Sequence, residues 1–207
     1  MPVNDAPWNR DMFFNLKKML FSGILMKILL QPLSFISVIL FAMHLWSCSP
    51  AEIRQERDNP VVMIDNVTFF SQEDYQCGPS SLAGVLNYWG IAVTPEEIAH
   101  DIFSEKARGT LTADMVIYAQ KKGLSATQYK SGLPDLKRNL SSGYPVIILV
   151  DYGMFFYQAN HFMVVVGYND MGVFANSGIH KNRFIPENSL LKSWEKTGYW
   201  TLLIKRN

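Results

Sequence analysis

An α+β domain, with early helices packed on an antiparallel sheet, is the fold class the sequence predicts, and three observations carry that reading. Apolar residues recur at helical spacing between Leu82 and Ala119; the period changes to strand-like runs after Gly123; and the helices come first while most strands come later.

Taken in order, Gln76-Cys77-Gly78-Pro79 leads into a segment whose Leu82, Val85, Leu86 and Trp89 follow helical spacing and which stops at Gly90. Pro79 suits a first helical turn, so Cys77 lies at the mouth of this helix. Thr94-Pro95-Glu96-Glu97 is a capping box with Pro at the first helical position, and it starts a second helix through Ile98, Ala99 and Ile102. A third helix runs from about Ala113 through Met115, Val116 and Tyr118 to a stop at Gly123. Residues 124–129 then read as a strand and 134–140 as a short helix. Residues 145–150 form a strand apolar enough to be buried on both faces. Strands over 161–167, 172–176 and 199–204 complete the chain, and Trp89, Trp194 and Trp200 serve as core or groove wall.

With 207 residues, nearly half of them apolar, the chain can bury one sizeable core. Basic and acidic residues nearly balance, 19 against 18, and no Lys/Arg stripe is interleaved with aromatics, which gives a nucleic-acid partner no electrostatic support.

The segment from Met26 has a positive start, the apolar run 33–43 and then Leu45-Trp46-Ser47-Cys48, the order of an export signal. Its core of roughly 11 residues falls short of the roughly 20 that cross a bilayer comfortably. The last four residues resemble the lipobox of bacterial lipoproteins, whose Cys is acylated and becomes the N-terminus, although Trp46 is unusual there. The expected organisation is a leader over residues 1–47 with its true start at Met26, a tether over 48–60 anchored by lipid on Cys48, and one folded domain over 61–207. Such a protein resides in the bacterial cell envelope, on the periplasmic side in a Gram-negative cell. An uncleaved signal anchor and ordinary secretion are the alternatives.

Only two cysteines are present, Cys48 and Cys77. With Cys48 acylated, Cys77 has no partner for a disulfide, and an exported protein that keeps an unpaired thiol has a chemical reason to keep it. No Cys-x-x-Cys or His-x-x-x-His occurs, so neither a metal nor another cofactor is expected. A helix N-terminus and an adjacent imidazolium together lower a thiol's pKa and favour the nucleophilic thiolate. Of the four histidines, His44 lies in the leader, His100 on a short exposed helix and His180 in a polar loop. His161 alone heads an apolar strand that would hold its ring in place as a base. Asn176, at the end of the next strand, would orient that ring if the two residues are neighbours across the pair.

Residues 72–87, Gln-Glu-Asp-Tyr-Gln-Cys-Gly-Pro-Ser-Ser-Leu-Ala-Gly-Val-Leu-Asn, followed by Asn160-His161-Phe162 and later Asn176, resemble the bacteriocin-processing, double-glycine-leader branch of papain-like cysteine peptidases over residues 67–204. The resemblance implies a papain-like fold and a Cys-His-Asp/Asn triad, here Cys77, His161 and Asn176. It also implies a Gln that donates to the oxyanion, here Gln72, with Gln76 as second candidate. Asn176 stands where Asp followed by Pro is usual in that branch, and Ser177 follows it instead. Relatives of that branch are fused to an ATP-driven exporter; no Gly-x-x-x-x-Gly-Lys-Ser/Thr loop occurs here, so leader processing is not carried over. The expected activity is peptide-bond hydrolysis on a peptide or protein substrate. The alternatives are acyl transfer or amide hydrolysis on the same scaffold, and a catalytically silent module that binds peptides.

Overall fold

The structure is a computed structural model that describes residues 60, 62–71, 76–107 and 109–207. The leader, Cys48, the tether up to residue 59, and Gln72 lie outside the described residues.

The described elements begin with the short strand β1 (Val62–Met63) and the helix α1 (Cys77–Tyr88), followed by α2 (Pro95–Ile102). A two-stranded ribbon of β2 (Phe103–Ser104) and β3 (Gly109–Thr110) precedes α3 (Thr112–Lys121), β4 (Ser125–Lys130) and α4 (Leu133–Ser141). Then come β5 (Val146–Asp151), β6 (Asn160–Tyr168), β7 (Gly172–Ser177), β8 (His180–Pro186), α5 (Glu187–Glu195) and β9 (Trp200–Lys205). The seven-stranded sheet has the order β4-β9-β5-β6-β7-β8, with β1 paired to the far end of β6, and its pairings are antiparallel. This is the mixed helix and antiparallel-sheet fold that the sequence predicts.

Local chemistry explains the elements that hold the site. α1 packs on β6 and β5 through Leu82 and Leu86, both fully buried, and each such burial contributes about 1.5–3 kcal/mol. The helix is therefore fixed to the sheet by its own apolar stripe. Gly78 in its first turn is required by packing: a Cβ there would lie 2.8 Å from Cβ of Thr110, so only glycine lets β3 approach so closely. The capping box of α2 is present, with Thr94 Oγ1 accepting from the Glu97 N–H and Glu97 Oε2 accepting from the Thr94 N–H. β5 and β6 pair in register from Val146↔Val165 to Asp151↔Asn160, and their apolar residues fill the core with Trp194 and Leu202.

The short strands β1, β2 and β3, the strand β8 and the helix α5 go beyond the sequence reading. Residues 180–186 form the edge strand β8, so His180 opens a strand instead of lying in a loop, and α5 follows it directly. β8 is mostly exposed and polar, and it lacks the alternating apolar face that announces a strand.

Candidate active site

Cys77 is the first residue of α1 and is partly buried. Its sulfur is held among backbone N–H groups: those of Phe162, Gly78 and Cys77 itself all act on it. The first places the thiol against β6, one residue from His161. Two others are the N–H groups that a helix start leaves without intrahelical acceptors. Pro79 has no N–H to offer, and Ser80 N closes the first turn on Gln76 O at 3.0 Å. Gln76 is therefore the residue at the helix mouth, and no side-chain capping bond is made there.

His161 lies near the start of β6, and its Nε2 is 3.0 Å from Ser177 Oγ. Tyr152 flanks the ring with centroids 6.0 Å apart and planes tilted by 33°. The contact to Ser177 corrects the expectation for Asn176. Val164 pairs with Asn176 and Val165 with Ala175, and side chains alternate faces along a strand, so Asn176 projects on the face opposite to His161 while Ser177 shares it. Asn176 Oδ1 instead accepts from the Asn182 N–H at 3.0 Å, tying down the turn that joins β7 to β8, and its buried Nδ2 has no partner among the described residues. Asn176 shapes the hairpin; Ser177 touches the imidazole.

Burial pushes the Cys77 thiol above its ordinary range, and the surrounding N–H groups offset this only in part. Burial also holds His161 below the ordinary imidazole range, and the positive charge of Arg183 lowers it further. Both shifts favour the neutral forms, a thiol and an imidazole lining the same groove, where the sequence reading expects a thiolate and imidazolium. A neutral imidazole can still accept the thiol proton as substrate arrives, which is the form a general base needs. With Nε2 engaged by Ser177, Nδ1 is the ring nitrogen left for that transfer.

These groups line an open groove of about 1260 Å³ whose walls include Thr110, Tyr152, Tyr157 and Arg183. Its rim, the β5–β6 loop, exposes Met154, Phe155, Phe156 and Tyr157. Asp151 ties this loop at both ends, since Oδ1 accepts from the N–H groups of Gly153 and Ala159, and Lys196 Nζ donates to Gly153 O. Among the described residues, no group of three or more His, Cys, Asp or Glu side chains is arranged to hold a metal ion.

A cysteine at a helix N-terminus and a histidine on an antiparallel sheet, lining one groove, are the arrangement of the papain-like cysteine peptidase fold. The chain matches the model of the Peptidase_C39 like family over residues 64–202 and belongs to that family. It is 30% identical, over 53% of its length and 69% of the relative's, to an uncharacterized protein of Methanothermobacter thermautotrophicus. A putative C39-like peptidase from Bacillus anthracis superposes with a TM-score of 0.59 at 18% identity, covering 70% of this chain and 98% of that one. A double glycine motif protease from an AMS/PCAT transporter, solved in complex with the leader peptide, gives 0.58 at 25% identity, over 71% and 96%. The peptidase domain of Streptococcus ComA, a bi-functional ABC transporter involved in quorum sensing, gives 0.58 at 22% identity, over 68% and 99%.

Proposed function

We propose that the protein is a cysteine peptidase that hydrolyses peptide bonds, with Cys77 as nucleophile and His161 as base. The observation that carries the reading is the placement of the Cys77 sulfur at the start of α1, against the Phe162 amide, in an open groove that His161 also lines. His161 takes the thiol proton as sulfur attacks the carbonyl carbon, and the tetrahedral oxyanion forms near the N–H groups of the helix mouth, with Gln72 as a further donor. The C–N bond breaks as the imidazolium passes its proton to the leaving amine, which leaves a thioester. Water, deprotonated by His161, then releases the acid and restores the thiol. Ser177 holds the ring in the orientation that this shuttle needs. Acyl transfer shares the first half of the path and diverges where an amine replaces water.

Incubating the protein with peptide mixtures and reading products by mass spectrometry tests this. Turnover is expected to vanish in Cys77→Ala and nearly so in His161→Ala, with melting temperatures kept, and Gln72→Ala is expected to lose about 10- to 100-fold in kcat. Full activity in Cys77→Ala would overturn the mechanism. Conjugates in place of hydrolysis products when an amine is added would favour acyl transfer.

The export reading completes the proposal: residues 1–47 act as a leader, Cys48 carries the lipid, and the domain works at the envelope membrane on exported peptides. Two or more acyl chains hold a protein on a bilayer where one does so only marginally. Cys48→Ala should move the protein from the membrane to the soluble fraction and abolish incorporation of labelled fatty acid; unchanged partitioning would defeat the anchor.

A further inference from the structure

Beyond His161 the groove wall carries a positive charge with no acidic partner among the described residues. Arg183 pairs with Ala175 across β7 and β8, which puts it on the sheet face that also carries Ser177 and His161. Its guanidinium lines the groove, and its charge reaches both the His161 ring and the Tyr152 hydroxyl. No Asp or Glu is found among the described residues that line the groove, and Arg183 takes part in none of the ion pairs among the described residues. The chain as a whole is nearly neutral, at +1.

The peptidase reading, on which this inference rests, gives that charge a side. The imidazolium protonates the departing amine, so the amine-side fragment of the substrate leaves along the imidazole's side of the groove, where Arg183 stands.

We propose that Arg183 determines specificity by binding a carboxylate in the leaving fragment of the substrate, supplied either by an Asp or Glu side chain shortly after the scissile bond or by the C-terminus of a peptide cut near its end. A guanidinium offers two parallel N–H donors to a carboxylate, a match that an amide does not reproduce. Occupancy has a chemical consequence as well. The bound carboxylate neutralises the charge that disfavours the imidazolium, so an acidic substrate makes His161 a better acceptor for the Cys77 proton.

Four synthetic hexapeptide mixtures, randomised over uncharged residues, test the assignment on the full chain. They carry one Glu or one Gln and end in a free acid or an amide. Two readouts are taken together: the protection each mixture gives Cys77 against alkylation by iodoacetamide, which needs no turnover, and the cleavage products. Mixtures with a carboxylate are expected to protect wild type at about tenfold lower concentration than the mixture with none. Arg183→Gln should level this difference, and Arg183→Glu should reverse it. Protection by Glu-amide mixtures identifies a side-chain carboxylate, and protection by Gln-acid mixtures identifies the C-terminus. Equal protection by all four mixtures, or a preference that survives Arg183→Gln, overturns the proposal. Protection that follows Arg183 without any cleavage would count against the peptidase reading and leave the carboxylate site standing.

Discussion

Ser177 Oγ lies 3.0 Å from Nε2 of His161, so a neutral hydroxyl occupies the position from which the imidazole is oriented. A hydroxyl can accept from the ring and fix its tautomer, yet it adds no charge to stabilise the imidazolium. Ser177→Ala should therefore lower kcat/KM by about tenfold, through lost positioning, while leaving KM little changed. Ser177→Asp should do the opposite. A carboxylate beside the ring raises the imidazole pKa by favouring its charged form, which speeds Cys77 alkylation at neutral pH and moves the acid limb of the rate profile upward. A purely structural Ser177 would leave that limb in place in both variants.

The neutral pair formed by Cys77 and His161 predicts a distinct pH dependence of stability. His161 has a folded-state pKa below its unfolded value, so the unfolded chain binds more protons between the two. Its contribution is complete above about pH 6.5 and is lost as pH falls through the folded value. Cys77 is raised instead, so its contribution is complete below about pH 8.5 and is lost as pH climbs to the folded value. Thermal melts across pH should show His161→Gln flattening the acid flank and Cys77→Ala flattening the alkaline flank. Flanks that match wild type in both variants would show that burial does not shift these groups.

The sequence spoke clearly where local physics decides. Thr94-Pro95-Glu96-Glu97 caps α2 as its side chains dictate, and the dense apolar run of β5 is buried as its composition requires. Cys77 was legible as a helix-mouth thiol because Gly78 and Pro79 mark the turn. The partner of His161 was not. Choosing between Asn176 and Ser177 depends on strand register, which two adjacent polar residues at a strand end leave open, and a shift of one residue exchanges the faces. Strand parity counted back from Val164 was the only signal available, and it needed the β6–β7 pairing. Arg183 was hidden for a related reason. A cation on a polar edge strand that also carries Lys181 looks like solvated surface until the hairpin brings it to the face of the imidazole.

The approach of β3 to α1 makes Gly78 a sensitive position. A methyl group there meets Thr110 Cβ at 2.8 Å, and Thr110 sits on the short ribbon of β2 and β3, which can give way only by moving the groove wall. Gly78→Ala is expected to destabilise the fold by about 1–3 kcal/mol and to reduce turnover more than that loss explains, since the first turn of α1 carries the nucleophile. Pairing it with Thr110→Gly, which removes the Cβ, Oγ1 and Cγ2 that the new methyl would meet, should restore part of both. No recovery in the double variant would place the damage elsewhere in the turn.

Asp151 governs the β5–β6 loop that forms the opposite wall. Its carboxylate is held below the usual range by the N–H groups of Ala159 and Gly153, with help from the charge of Lys196, against the opposing effect of burial. That stabilisation is present above about pH 3.9 and is lost as pH falls through the folded value. Asp151→Ala leaves both N–H groups without their acceptor and should cost about 1–3 kcal/mol, with a melting deficit that narrows toward the acid end as the wild-type carboxylate protonates. Because Tyr152 and Tyr157 hang from this loop while Cys77 does not, peptide KM should rise more than kcat falls. A fall in kcat alone, with KM unchanged, would mean that the loop shapes the imidazole's position and not the binding of the chain.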